Sequence, residues 1–212
     1  MVVFGVTMTN LLTMIDRINT AVAESLEVKR RYFAEHAEQV ARAAALICES
    51  FAAGGKLLLC GNGGSAADAQ HIAGEFVNRF MLAERRGLPA IALSTDGGVL
   101  TCIANDTGFD KIFARQIEAL GVRGDVCLAI STSGTSPNIV AAVEQARSQG
   151  VKTIGILGRD GGRVAELCDL SLVVPSRDTQ RIQETHNLIG HIICELVETA
   201  LFAEEREGKE RR

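Results

Sequence analysis

Cys60-Gly61-Asn62-Gly63-Gly64-Ser65 closes the apolar run Lys56–Cys60 and opens the helical pattern Ala66–Phe80. A buried strand, a glycine-rich turn and a helix N-terminus together form a cradle for an anion. Glycine lets the backbone bend closely around such a ligand, and the first-turn N–H groups of a helix have no partner inside it. His71 and Glu75 follow four residues apart, on one face of that helix and about two turns below the cradle. An anion site with an acid/base pair behind it points to chemistry on a phosphorylated small molecule.

Downstream the alternation of short apolar runs and helical segments continues. Runs occur at Leu57–Cys60, Ala90–Leu93, Val126–Ile130, Thr153–Leu157 and Leu170–Val174. Helical segments follow them at Ser65–Phe80, Phe109–Leu120, Pro137–Gln149, Arg163–Cys168 and Thr179–Glu205. Unalternated runs of Ile, Val and Leu indicate strands buried on both faces, hence a parallel sheet covered by helices. Right-handed crossovers then predict an α/β doubly wound sandwich of five strands, with its ligand beyond the strand C-termini at a topological switch point.

Upstream, residues 9 to 53 carry helical periodicity and no strand signal. Ile15, Ile18, Val22 and Leu26 form one stripe, and Val40, Ala44, Ile47 and Phe51 another. Gly54-Gly55 ends the segment with good C-cap chemistry. This predicts an N-terminal helical hairpin over residues 1–54, joined to an α/β domain over 55–212 as one compact unit. The stripes need a partner, either the domain or another subunit. The tail Glu204–Arg212 reads as frayed.

Bulk properties exclude several function classes. In 212 residues the net charge is −4, and the basic clusters Lys29-Arg30-Arg31 and Arg211-Arg212 are surrounded by acidic residues. That argues against a nucleic-acid-binding face. No apolar run approaches the roughly 20 residues of a bilayer span. Met1–Asn10 is apolar but lacks a basic n-region and a convincing cleavage site, which argues against a secretory signal. Cys48, Cys60, Cys102, Cys127, Cys168 and Cys194 lie scattered in apolar contexts, as reduced thiols of a cytoplasmic protein do.

Three loops after strand ends are rich in small polar residues: Gly61–Ser65, Asn105-Asp106 and Ser131-Thr132-Ser133-Gly134-Thr135-Ser136. Ser and Thr cap helices and fill turns anyway. Five hydroxyls in six residues before Pro137 exceed that need and suit a phosphate. The glycine loop lacks the sixth-position glycine of the dinucleotide fingerprint and the Gly-Lys-Ser/Thr of a P-loop, which disfavours a nucleotide. A sugar phosphate is the simpler ligand. Of the four histidines, His71, His186 and His191 fall near the ends of this site; Gln183, Asn187 and His191 share an i, i+4, i+8 stripe. His71 and Glu75 with Gln183 and His191 can form a mixed N/O metal site, zinc being the expected occupant, or an imidazole acid with a carboxylate base. Cys194 sits in the run Ile192-Ile193-Cys194 and reads as a core residue rather than a nucleophile. Ser133 lies outside any G-x-S-x-G elbow.

Cys60–Ser65, Asn105-Asp106-Thr107-Gly108-Phe109 and Ile130–Ser136 resemble the sugar isomerase (SIS) domain family. His71-Ile72-Ala73-Gly74-Glu75-Phe76 and Arg181-Ile182-Gln183-Glu184-Thr185-His186, with His191 beyond, narrow the resemblance to the phosphoheptose isomerases within it. The resemblance covers essentially the whole chain. It implies conversion of sedoheptulose 7-phosphate to D-glycero-D-manno-heptose 7-phosphate through an enediol, the first step towards nucleotide-activated heptose. It also implies a homotetramer with sites between subunits. By the same resemblance Glu75 is the general base and His191 the general acid. His71, Glu75, Gln183 and His191 are the zinc ligands. Asn62, Gly63, Gly64, Ser65, Glu75, Asn105, Asp106, Ser131, Thr132, Ser133, Ser136 and Gln183 match substrate-contact positions. Some members carry Asp three residues before the Gln, where this chain has Gln180, which touches only a peripheral contact. The competing expectation is a non-catalytic SIS-domain adaptor of the type that binds a replication initiator, or a sugar-phosphate sensor. Adaptors lack a full acid/base set, and no basic helix-turn-helix is apparent here.

Overall fold

The computed structural model describes residues 8–203. The expectations for the first residues and for the tail Glu204–Arg212 therefore lie outside the described residues. Helix α1 spans Met8–Ala52, and the chain then alternates: β1 Leu57–Gly61, α2 Gly64–Val77, β2 Ala90–Ala92, α3 Gly97–Thr107, α4 Ala114–Leu120, β3 Val126–Ser131, α5 Pro137–Ser148, β4 Lys152–Gly158, α6 Gly162–Leu167, β5 Leu170–Val174 and α7 Thr179–Leu201. A short 3-10 turn at Phe109–Lys111 precedes α4.

All strand pairs are parallel, in the order β2-β1-β3-β4-β5. The order reverses between β1 and β3, where Cys60 pairs with Ala129 and Gly61 with Ile130. The glycine loop and the Ser/Thr loop thus leave adjacent strand ends at the switch point, where open α/β sheets bind ligands.

Alternate strand residues face opposite helical layers, as a doubly wound sheet requires. Leu57, Leu59, Val126, Leu128, Ile130, Ile154 and Ile156 pack with α1, α2 and α7. Leu58, Cys60, Cys127, Ala129 and Leu157 pack with the layer of α4, α5 and α6.

Two expectations need correction. The N-terminal hairpin is a single 45-residue helix. No Gly or Pro occurs between Met8 and Ala53, so nothing in that stretch breaks the backbone ladder. The two stripes lie on one rod but in different environments. Val40, Ala44, Ile47 and Phe51 are buried in the core, whereas Ile18 is 61% exposed and Leu26 63%. The rod stops at Gly54, whose φ of 81° is left-handed and whose neighbour Gly55 donates back to the Ser50 carbonyl. The second correction concerns Asn105 and Asp106, expected in a loop: they lie in the last turn of α3. No residue of that helix is fully buried; Leu100, Ile103 and Ala104 pack half-buried against the core, while Gly97-Gly98 at its start and Gly108 after its end read as loop. Asp96 caps its start, accepting the Val99 amide. Among the described residues no helix is long and apolar enough to cross a membrane.

Candidate active site

The Ser/Thr loop and the glycine loop share one small cavity. Asn62, Ser65, Ile130, Ser131, Thr132 and Ser136 line a space of about 50 Å³. A site of ~10–15 Å³ already admits one water, so this one has room for a larger polar group. Ser136 stands at the N-cap of α5 without spending its hydroxyl on a cap bond, and Gly63 precedes α2 with no side-chain cap either. Ser131 accepts the Gly134 amide, and Ser133 accepts from both the amide and the hydroxyl of Thr135. The loop closes against the turn after β4: Gly134 has φ 66°, and a Cβ there would run into the Gly161 carbonyl. Only glycine fits that position.

A residue that sequence reasoning missed ties the two loops together. Asn138, buried in the first turn of α5, exchanges a pair of 2.8 Å hydrogen bonds with Asn62, each amide donating to the other's oxygen. The side chain of Asn62 is thereby committed to Asn138. Its place one residue past Pro137, on the inward face of α5, was the available signal.

Helices α2 and α7 run side by side in the same direction, which brings the second cluster together. Nε2 of His71 lies 2.7 Å from Nε2 of His191, one ring donating and the other accepting. The rings meet edge to face at 5.0 Å between centroids. Oε1 of Glu75 is 3.6 Å from the same His71 nitrogen. One ligand atom from each of His71, Glu75 and His191 lies within 4.8 Å of the others. Two imidazoles and a carboxylate this close form a mixed N/O donor set of the kind zinc takes.

Asp68, one turn above His71 on α2, also belongs here and escaped the sequence reading. Burial pushes its carboxyl above the usual range, against a hydrogen bond with Asn187 and the pull of His71 and His191. Its i, i+3 spacing to His71 was the signal.

Not every expected residue converges within one chain. Gln183 packs over the start of α2, where a Cβ on Gly64 would strike its Nε2. Eight residues along α7 separate it from His191, about 12 Å of helix rise. Ten residues separate Ser65 from Glu75 on α2, about 15 Å. Asn105 is exposed and donates to Asp106, which also accepts from Cys102, so the hydrogen bonds of this pair stay within α3. His186, near the site in sequence, is buried in the core, where the Leu157 backbone is the polar group beside its ring. Cys194 is buried too; burial, with Glu75 and Glu198 adding to it, pushes its thiol up to about 12, which fits a core residue and not a nucleophile.

With this geometry in hand, the comparisons are informative. The SIS domain family model matches residues 22–158. A phosphoheptose isomerase from Geobacter sulfurreducens is 55% identical over 189 residues, which cover 89% of this chain and 100% of the relative. The chain belongs to the phosphoheptose isomerase family. A second family member, from Roseiflexus sp., is 53% identical over 183 residues, covering 86% of this chain and 92% of its own. The solved structure of phosphoheptose isomerase GmhA from Neisseria gonorrhoeae superposes with a TM-score of 0.83 at 42% identity, covering 88% of this chain and 99% of that one. Phosphoheptose isomerases are thus similar to this chain in sequence and in fold over nearly their whole length.

Proposed function

We propose that this protein interconverts D-sedoheptulose 7-phosphate and D-glycero-D-manno-heptose 7-phosphate through an enediol. The observation that carries the reading is the cluster of His71, Glu75 and His191, set where α7 meets the α2 helix that begins at the cradle. Aldose–ketose interconversion moves a proton between adjacent carbons. The C–H next to a carbonyl is weakly acidic, so a close base and stabilisation of the developing oxyanion are both needed. Glu75 takes the proton from one carbon and returns it to the other. The imidazole of His191 gives and takes protons at the sugar oxygens. The cradle of Gly63, Gly64, Ser65, Ser131, Thr132, Ser133 and Ser136 holds the phosphate, and that remote binding energy orients the open chain.

His71, Glu75 and His191 would hold zinc, with Gln183 as the fourth ligand. Zinc held there would supply Lewis-acid stabilisation of charge at the sugar carbonyl oxygen.

Assembly completes the site in this reading. The cradle and the acid/base cluster of one chain lie far apart along α2, and Gln183 lies well away from His191. A homotetramer built on the exposed stripe of α1 brings the cluster of one subunit, the Gln183 of a second and the Asn105-Asp106 pair to a common substrate. The region 1–54 is then an assembly element and 55–212 the catalytic domain. Six free cysteines accord with a cytoplasmic setting. The adaptor reading has no use for an acid/base pair and a donor set in contact.

Incubating the purified protein with sedoheptulose 7-phosphate, with and without a chelator, tests this. Aldose formation that falls on chelation and returns with zinc is expected. No turnover in any condition favours the adaptor.

A further inference from the structure

Between α2 and β2 the chain makes an irregular crossing, and charge holds it in place. Glu198, near the end of α7, is 2% exposed. Its Oε1 accepts the amides of Met81 and Leu82 at 2.7 and 2.9 Å, and its Oε2 accepts the amide of Phe80 at 3.1 Å. The same Oε2 receives Nε of Arg85, whose side chain is as buried as its partner's. The guanidinium then reaches back over the end of α2. Nη2 donates to the Glu75 carbonyl, while Nη1 donates to the Phe76 carbonyl at 3.0 Å and to that of Arg86.

Those contacts fall on the groups a helix cannot satisfy for itself. The last four carbonyls of an α-helix lack intrahelical donors, and α2 ends at Val77. Arg85 supplies the missing donor for Glu75 and a second donor for Phe76, whose carbonyl also accepts the Leu88 amide at 2.9 Å. Glu198 meanwhile fixes the amides of residues 80–82, and the Phe80 ring lies 5.9 Å from the His191 ring, tilted by 36°. One ion pair therefore anchors the turn that presents Glu75 and the wall beside His191.

Stability alone is a poor reason for such a pair. Desolvating two charges offsets most of their attraction, and apolar residues of similar volume often serve as well. What apolar residues cannot do is donate to two helix-end carbonyls and accept three amides.

We infer that Arg85 and Glu198 are positioning residues for the proton-transfer pair, setting the backbone from which Glu75 works and the ring that flanks His191. The inference rests on the assignment of Glu75 as the base. Neither residue touches the sugar, so their loss changes kcat and leaves substrate capture by the phosphate cradle alone.

The test compares Arg85→Ala, Arg85→Lys and Glu198→Gln with wild type and with Glu75→Gln, on sedoheptulose 7-phosphate. Thermal melts and far-UV circular dichroism report the fold. A misplacement of about 1 Å at a reacting group costs on the order of 100-fold in rate. Arg85→Ala should thus lower kcat by roughly 10- to 100-fold with KM within about 3-fold, and millimolar guanidinium should restore part of kcat. Arg85→Lys, a point charge without the fork, and Glu198→Gln should fall between. Should Arg85→Ala not fold, the other two variants decide. Wild-type kcat in folded variants, or a lowered kcat that guanidinium does not raise and that tracks the loss of folded protein, overturns the positioning role. Retained activity in Glu75→Gln would overturn the base assignment instead, a separate result.

Discussion

At the scale of single residues, the cradle and the acid/base cluster are built differently. The cradle depends on backbone that two amides hold in register. Replacing Asn138 with Leu leaves the Asn62 amide without its partner in a half-buried site, a desolvation cost of about 1–3 kcal/mol. Steady-state kinetics should show a raised KM for the sugar phosphate with a smaller change in kcat, and urea titration should show the stability loss. The cluster depends on side chains, and its imidazoles already sit in contact. If zinc occupies the proposed donor set, His71→Asn removes one donor nitrogen from it, and zinc affinity, measured by dialysis and atomic absorption, should fall by roughly 10- to 100-fold or more. Unchanged zinc content would remove His71 from the donor set.

At the scale of elements, the sequence was legible where burial leaves a period. The strands β1, β3, β4 and β5 were read to within a residue or two because unbroken apolar runs have few alternatives in a doubly wound sheet. The helices that cover them were read for the same reason. Helix α3 was missed because its apolar stripe of Leu100, Ile103 and Ala104 is short, only half-buried, and bounded by Gly97-Gly98 and Gly108, which read as loop. The hairpin was expected because Ile15–Leu26 and Val40–Phe51 look like two stripes. One rod carries both because half of it docks on the core and half projects. In the site, His71 and Glu75 were legible from their spacing on one helix, their grouping with His191 followed from the few polar helical residues near the strand ends, and the assignment of acid and base came from the resemblance. Asn138 and Asp68 had only positional signals, a place after Pro137 and an i, i+3 spacing to His71, while the Arg85–Glu198 pair joins residues 113 apart and left none. The projecting half of α1 makes its own prediction. Ile18→Asp combined with Leu26→Asp places charges on the exposed stripe, so light scattering should show the proposed tetramer in the wild type and smaller species in the variant. Helix content should stay near wild type, because neither residue packs in the core. A tetramer that persists unchanged would move the interface elsewhere.

At the scale of the whole molecule, buried titratable groups set how the fold responds to acid. Burial lowers the His186 pKa from 6.5 to about 4, the nearby Leu157 backbone opposing the shift only in part. The unfolded chain then binds a proton that the folded one refuses, so stability falls as pH drops from 6.5 towards 4. At pH 5 the loss from this residue is about 2 kcal/mol. Glu198 adds to the trend further down. Burial pushes its carboxyl up, but Arg85 and the amides of residues 80–82 outweigh that and hold it below its ordinary 4.5. Its contribution is present above pH 4.5 and lost as pH falls through its lowered value. Urea midpoints should drop between pH 7 and pH 5, and His186→Leu should flatten that slope. An equal slope in the variant would assign the acid sensitivity to other groups.

The account stands or falls on proton transfer by Glu75. The direct measurement is turnover of sedoheptulose 7-phosphate by wild type and by Glu75→Gln, zinc-loaded and matched for folded protein. Positioned general bases contribute typically ~10²–10⁴-fold, so the variant should be slower by that factor or more while its melting temperature stays close to wild type. A Glu75→Gln protein that turns over at the wild-type rate, or a wild-type protein inactive on this substrate with zinc bound, would contradict it.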